Sequence, residues 1–208
     1  MHWQAGKMRL AKTERHLLTR CFYYMVNEIM PASAWVARWI SQLAPREMIL
    51  DVACGAGRHT QLLLDHSLRV VAVDVDISAM NSLERRHNLE LVQADLENEP
   101  WPFASAYFDG IVVTNYLHRP IFPDLVASLK PGGVFIYETF ALGNGRFGRP
   151  SNPDFLLQPG ELLRVVDGKA RVIAYEDVYT ETPKPALVQR ICAVANGGSP
   201  RQFPDLVN

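Results

Sequence analysis

The 208-residue sequence predicts an α/β fold, a mostly parallel sheet covered by helices on both faces. Three observations carry that expectation. The length suits a single domain able to bury roughly 70% of its unfolded-state surface. Short apolar runs alternate with amphipathic segments from Ser33 onward, the rhythm of βαβ units. Near the end that rhythm gives way to two extended runs with only a turn between them.

Taken in order, Ser33 caps a helix whose apolar stripe is Trp35, Val36, Trp39, Ile40 and Leu43, and Ala44-Pro45-Arg46 stops it. Residues 48–50 form a short buried strand, followed by a glycine-bearing turn and a helix over 60–66. The second strand spans 69–73, Ser78 opens a helix carrying Met80 and Leu83, and the third strand spans 89–93. The fourth covers 109–114. A helix over 120–129 follows, with Ile121, Phe122, Leu125, Val126 and Leu129 on one face. Lys130-Pro131-Gly132-Gly133 is a turn into the fifth strand, 134–137. Residues 141–160 read as a long loop, a length that marks a lid, a binding loop or disorder. After a helix over 160–166, the runs 170–179 and 187–195 are joined by Thr182-Pro183-Lys184-Pro185 and pair antiparallel. The domain division is therefore a basic arm or helix over 1–30, a domain over 31–196 and a loose tail over 197–208.

Composition excludes several classes. Lys+Arg 21 against Asp+Glu 22 gives a net charge of −1, far from the basic surface that broad capture of nucleic acid needs. With 48% apolar and 21% charged residues the chain is neither disordered nor fibrous. Runs such as Ile111-Val112-Val113 fall far short of the roughly 20 residues of a membrane helix. The apolar stretch near Cys21 is too short and aromatic for a signal peptide. Three cysteines, Cys21, Cys54 and Cys192, make no CxxC pair, so neither disulfides nor metal are expected and the cytoplasm is the expected location. Residues 1–20 carry Lys7, Arg9, Lys12, Arg15 and Arg20 against Glu14, either an arm over a site or a solvated terminus.

The segment that carries chemistry is Leu50-Asp51-Val52-Ala53-Cys54-Gly55-Ala56-Gly57-Arg58, a buried strand ending in an acid, then small residues, then a helix. Small residues let a ligand approach the backbone. A P-loop would need Gly-Lys-Ser/Thr, whereas Gly57 is followed by Arg58-His59. A dinucleotide fingerprint would place its third glycine on Thr60. Asp51 beside the turn repels a pyrophosphate and suits a ligand bearing an ammonium group. Asp74 ends the second strand, 23 residues beyond Asp51, where an acid can accept from two ribose hydroxyls. Asp95 ends the third strand, placed for an adenine amino group with Leu96 against the ring. Each acid alone is equally a turn or cap residue; three at consecutive strand ends on one sheet edge weaken that alternative.

On these motifs, together with Phe108-Asp109 and Leu129-Lys130-Pro131-Gly132-Gly133, the sequence resembles the class I S-adenosylmethionine-dependent methyltransferases over roughly 32–196. The resemblance implies a doubly wound, mostly parallel seven-stranded sheet with helices on both faces and an antiparallel last strand. It implies S-adenosylmethionine as cofactor, with Asp51, Ala53, Cys54, Gly55 and Gly57 around the methionine portion. Asp74 and Val75 would take the ribose side, Asp95 and Leu96 the adenine. Ala53 stands where the family has its first glycine.

The acceptor should face Thr114-Asn115-Tyr116-Leu117-His118-Arg119-Pro120, which lacks the Asn/Asp-Pro-Pro-Tyr/Phe motif of enzymes that methylate nucleobase amino groups. His118 is the candidate base, since histidine as a residue type titrates near neutral pH; a helix-start histidine bonded to backbone is the alternative. Tyr116 is a candidate pocket residue or a packed aromatic. Arg119 is read as an anion contact or a solvated helix start. Arg146, Phe147 and Arg149 lie in a glycine-rich stretch suited to closing over a flat or anionic molecule, or to being plain surface loop. This stretch and Pro31-Ala32-Ser33-Ala34-Trp35 resemble the tellurite-resistance type of bacterial small-molecule methyltransferase, which implies a small acceptor. No membrane or nucleic-acid partner is expected, and the chain is a monomer or homodimer. An RNA or protein methyltransferase using the basic arm, and a non-catalytic cofactor-binding module, are the competing readings.

Overall fold

The computed structural model describes residues 31–199 and Arg201; the expected arm over 1–30 lies outside the described residues. Among the described residues four helices, α1 (Ala34–Ile40), α2 (Arg58–Asp65), α3 (Phe122–Ala127) and α4 (Glu161–Val166), are interleaved with seven strands. These are β1 (Met48–Val52), β2 (Arg69–Asp74), β3 (Leu89–Gln93), β4 (Phe108–Thr114), β5 (Leu129–Phe140), β6 (Ala170–Thr180) and β7 (Ala186–Ala195). The sheet order is β3-β2-β1-β4-β5-β7-β6. Pairings from β3 through β5 are parallel, and β7 runs antiparallel to both β5 and β6. This is the mixed seven-stranded sheet the sequence predicts.

Alternate residues of each strand serve opposite faces. Ile49, Val70, Ala72, Val112, Val134, Ile136 and Cys192 pack under α1 and α2. Leu50, Val71, Val73, Ile111, Val113, Phe135 and Ile191 pack under α3 and α4. Burial on both faces explains the uninterrupted apolar runs, and each such side chain contributes about 1.5–3 kcal/mol. Ser33 caps α1 as read, its Oγ accepting from the Trp35 and Val36 N–H groups at 3.1 and 3.4 Å.

Four elements differ from expectation. The helix at Ser78 is a single 3₁₀ turn, Ser78–Met80, followed by turns, although Met80 and Leu83 are both buried. The helix over 120–129 divides into a 3₁₀ turn, Arg119–Ile121, and α3. Pro120 and Pro123 sit in the two first turns, where a missing N–H is harmless, whereas one continuous helix would lose bonds at Pro123. The Lys130–Gly133 turn lies inside β5 as an irregularity: pairing advances from Phe108↔Leu129 to Gly110↔Val134. The tail is anchored at its start. Arg201 Nε donates to the Gly132 carbonyl at 2.7 Å and its Nη2 pairs with Glu47 at 2.7 Å.

Candidate active site

The carboxyl ends of β1, β2 and β3 carry the three acids. Asp51 is 1% exposed, and its Oδ2 accepts from the Thr60 hydroxyl at 2.5 Å. Desolvation raises its carboxyl to about 7, against the lowering effects of Thr60 and Arg58. The turn that follows uses left-handed backbone at Ala53 (φ 52°), Gly55 (φ 56°) and Gly57 (φ 83°). Gly57 also caps α2, and a Cβ there would meet Met80 Sδ at 2.5 Å, so packing as well as φ requires glycine. Cys54 is buried, its N–H on the Val73 carbonyl at 3.1 Å. Desolvation, with Asp51 and Asp74 nearby, raises its thiol and keeps it protonated.

Asp74 holds the two strand ends together. Its Oδ2 accepts from the Gly55 N–H at 2.9 Å and its Oδ1 from the Asp76 N–H at 3.1 Å. A carboxylate offers about four acceptor positions, so capacity for a pair of hydroxyls remains. Beside it Val75 is 38% exposed, an apolar side chain at the same edge. Asp95 is half-buried and shapes its own turn, accepting from the Glu97 N–H at 3.1 Å and from Asn98 Nδ2 at 2.9 Å. Leu96 is buried behind it. Two buried acids, a half-buried one and the apolar side chains of Val75 and Leu96 thus line the carboxyl ends of β1 to β3.

The acceptor side begins where β4 ends. Asn115 takes a left-handed φ of 53°, and its N–H donates to the Glu138 carbonyl on β5 at 3.0 Å. The Tyr116 carbonyl accepts from the Tyr137 hydroxyl at 2.7 Å; burial raises that phenol well above its usual range. His118 is half-buried at the start of the 3₁₀ turn, and no described residue hydrogen-bonds its ring. Arg119 does a different job from the anion contact the sequence suggests. Its Nε and Nη2 fork onto Glu161 at 2.7 and 3.1 Å, while Nη1 and Nη2 reach the Asp154 and Leu156 carbonyls at 2.7 and 2.9 Å. Burial raises the Glu161 carboxyl, but the bonds from Arg119 and the Gln158 N–H outweigh it and hold the group below its ordinary range.

The 141–160 segment is crosslinked rather than loose. The Asn144 side chain donates to the Pro150 carbonyl at 3.0 Å and accepts from the Leu187 N–H at 3.1 Å. Gln189 reaches the Gln158 carbonyl at 2.7 Å. Arg146, Phe147 and Arg149 remain exposed on this frame, and Phe147 packs on Tyr179 with ring centroids 5.0 Å apart.

Several residues at this edge escape a sequence reading. Arg190 joins Glu176 at 2.5 Å and Glu138 at 3.3 Å, with its guanidinium over the Trp35 ring. His59 is 3% exposed and bonds two other elements. Its signal was present, directly after Gly57-Arg58, in a stretch that serves in the sequence only to dismiss a P-loop.

The sheet order and the turn between β1 and α2 form the scaffold whose edge carries the three acids. Residues 49–133 match the methyltransferase domain family, and over these residues the chain is similar to S-adenosylmethionine-dependent methyltransferases. Among curated relatives, the cypemycin N-terminal methyltransferase of a Streptomyces species is 26% identical over 157 residues, 74% of this chain and 60% of that protein. The chain thus spans about 60% of the length of that relative. Among solved structures, TehB from Haemophilus influenzae superposes with a TM-score of 0.65 at 18% identity, covering 77% of this chain and 61% of that one. The 1,6-didemethyltoxoflavin-N1-methyltransferase of Burkholderia thailandensis, with its substrate and S-adenosylhomocysteine bound, gives 0.60 at 17% identity over 93% and 94%. No helix among the described residues is long and apolar enough to cross a membrane.

Proposed function

We propose that the chain transfers a methyl group from S-adenosylmethionine to a small-molecule acceptor by in-line displacement, giving S-adenosylhomocysteine. The observation that carries this reading is the edge of β1–β3, where Asp74 fixes the turn through Gly55 and keeps acceptor capacity for a diol. Asp51, Ala53, Cys54, Gly55 and Gly57 hold the methionine portion, Asp74 and Val75 the ribose side, and Asp95 and Leu96 the adenine. The cofactor supplies a methyl on a positively charged sulfur, which leaves with the bond's electron pair as the acceptor's lone pair attacks. The protein's task is alignment and exclusion of water. Tyr116 lines the acceptor pocket. His118, with no hydrogen-bond partner on its ring among the described residues, removes a proton from an acceptor that arrives protonated.

The exposed Phe147–Tyr179 pair, flanked by Arg146 and Arg149, suits a flat or anionic acceptor.

Thermal unfolding with S-adenosylhomocysteine, and with NAD as control, tests the reading. At about 100 times the dissociation constant a ligand adds about 2.7 kcal/mol, a rise of roughly 5–10 °C for this size. A rise with S-adenosylhomocysteine alone is expected. A rise with NAD, or with neither, refutes it.

A further inference from the structure

The first turn of α2 carries three consecutive residues, each bonded to a residue outside the helix. Arg58 Nη1 donates to the Pro31 carbonyl at 3.1 Å, and Thr60 holds Asp51. Between them His59 is buried, with Nε2 3.1 Å from the Ser33 N–H and Nδ1 3.0 Å from Thr114 Oγ1. A backbone amide only donates, so Nε2 is the unprotonated nitrogen. The neutral ring then carries its proton on Nδ1 and donates to Thr114. Burial pushes the imidazole down to about 3, in keeping with a ring that stays neutral. With both nitrogens engaged and no access to solvent, this histidine cannot exchange a proton with a substrate.

Its place in the fold gives it another task. Thr114 is the last residue of β4, and Asn115 turns the chain toward Tyr116 and His118. The imidazole is carried by α2, whose first turn is continuous with the Asp51–Gly57 segment, and its Nε2 is held by the Ser33 N–H ahead of α1. Resting on the methyltransferase reading above, we infer that His59 is a positioning residue that fixes the spacing between the cofactor turn and the acceptor segment after β4. Small misplacements are costly in an in-line reaction, so a rigid planar spacer between the two half-sites serves the chemistry.

The test is hydrogen exchange on the full-length chain, with and without saturating S-adenosylhomocysteine. In the native protein the ligand slows exchange in residues 49–60 and also in 111–121. Thr114→Val keeps the side-chain shape but removes the hydroxyl that His59 holds. It is expected to bind S-adenosylhomocysteine within about threefold of native affinity and to keep slowing at 49–60. The ligand-induced slowing at 111–121 should weaken by about fivefold or more, the low end of ordinary coupling. His59→Gln keeps one donor and one acceptor joined through a single carbon, and should retain more of that slowing than His59→Leu. A purely structural tie would speed exchange equally with and without ligand. Slowing at 111–121 that survives in Thr114→Val, is absent from the native protein, or is equal in the Gln and Leu variants overturns the proposal. No ligand effect even at 49–60 overturns instead the cofactor reading beneath it.

Discussion

The two halves of the sheet's carboxyl edge are built differently. Across β1–β3 the groups that shape the site are near neighbours in sequence: Asp95 and Glu97 are 2 residues apart, Asp51 and Thr60 9, Gly55 and Asp74 19. Across β4–β7 the ties run from Arg119 to Glu161, Asn144 to Leu187 and Glu138 to Arg190, separations of 42, 43 and 52. The first half is mostly a local motif, and the second is held by crosslinks between distant segments.

The largest expected effect lies in the local half. Asp74→Ala removes the acceptor for two backbone N–H groups as well as the proposed ribose contacts. Hydrogen bonds to a charged group contribute about 1.5–3 kcal/mol each, so affinity for S-adenosylhomocysteine should fall at least about 100-fold. Calorimetric titration reads this directly, and unchanged affinity would remove Asp74 from the site.

A second contrast is in pH. Asp51 titrates at about 7 in the folded protein against 3.8 as a free group, so the folded state holds a proton the unfolded chain has lost. Its contribution to stability therefore falls as pH rises from about 4 to 7 and is level above that. His59 runs the other way: held at about 3 against 6.5, it costs stability as pH falls below 6.5. In the native protein the two slopes oppose each other. Asp51→Asn should expose the His59 slope, so that urea stability relative to the native chain gains a few kcal/mol between pH 5 and pH 8. Parallel profiles would mean that Asp51 does not titrate in this window.

In the crosslinked half, Arg119→Ala leaves Glu161 half-buried and two loop carbonyls without donors. The arginine is partly exposed, so after solvent screening the loss is about 2 kcal/mol, a Tm drop of roughly 4–8 °C. Arg119→Lys should recover less than half of it, because an ammonium cannot make the fork. Cofactor affinity should hardly move in either variant. A loss of affinity equal to that of Asp74→Ala would erase the distinction between the halves.

That distinction also governs what the sequence reveals. Strands buried on both faces announce themselves as continuous apolar runs, and a turn rich in small residues directly after an acid is visible in a ten-residue window. The antiparallel end follows from Thr182-Pro183-Lys184-Pro185, too short for a crossover. Arg119 reads as an anion contact or a solvated helix start because nothing near it in sequence reveals Glu161. His59 takes no role from the sequence because its partners, Ser33 and Thr114, lie 26 and 55 residues away. The 141–160 segment stays open between lid, binding loop and disorder because ties that hold it come from β7.

The smallest effect separates the halves at a single backbone angle. Ala53 and Asn115 both sit in the left-handed region, at φ 52° and 53°, one after β1 and the other after β4. An alanine there costs about 1–2 kcal/mol, whereas asparagine visits that region routinely and tolerates it with its short polar side chain. Glycine relieves the strain but adds freedom to the unfolded chain, returning about 0.4–1 kcal/mol of the gain. Ala53→Gly should therefore stabilise the protein by about 0.5 kcal/mol, a Tm rise of roughly 1–2 °C. Asn115→Gly should bring no gain, since little strain is relieved and the same freedom is added. Equal responses at the two positions would show that Ala53 carries no more strain than Asn115, and that the cofactor turn accepts alanine in place of glycine without cost.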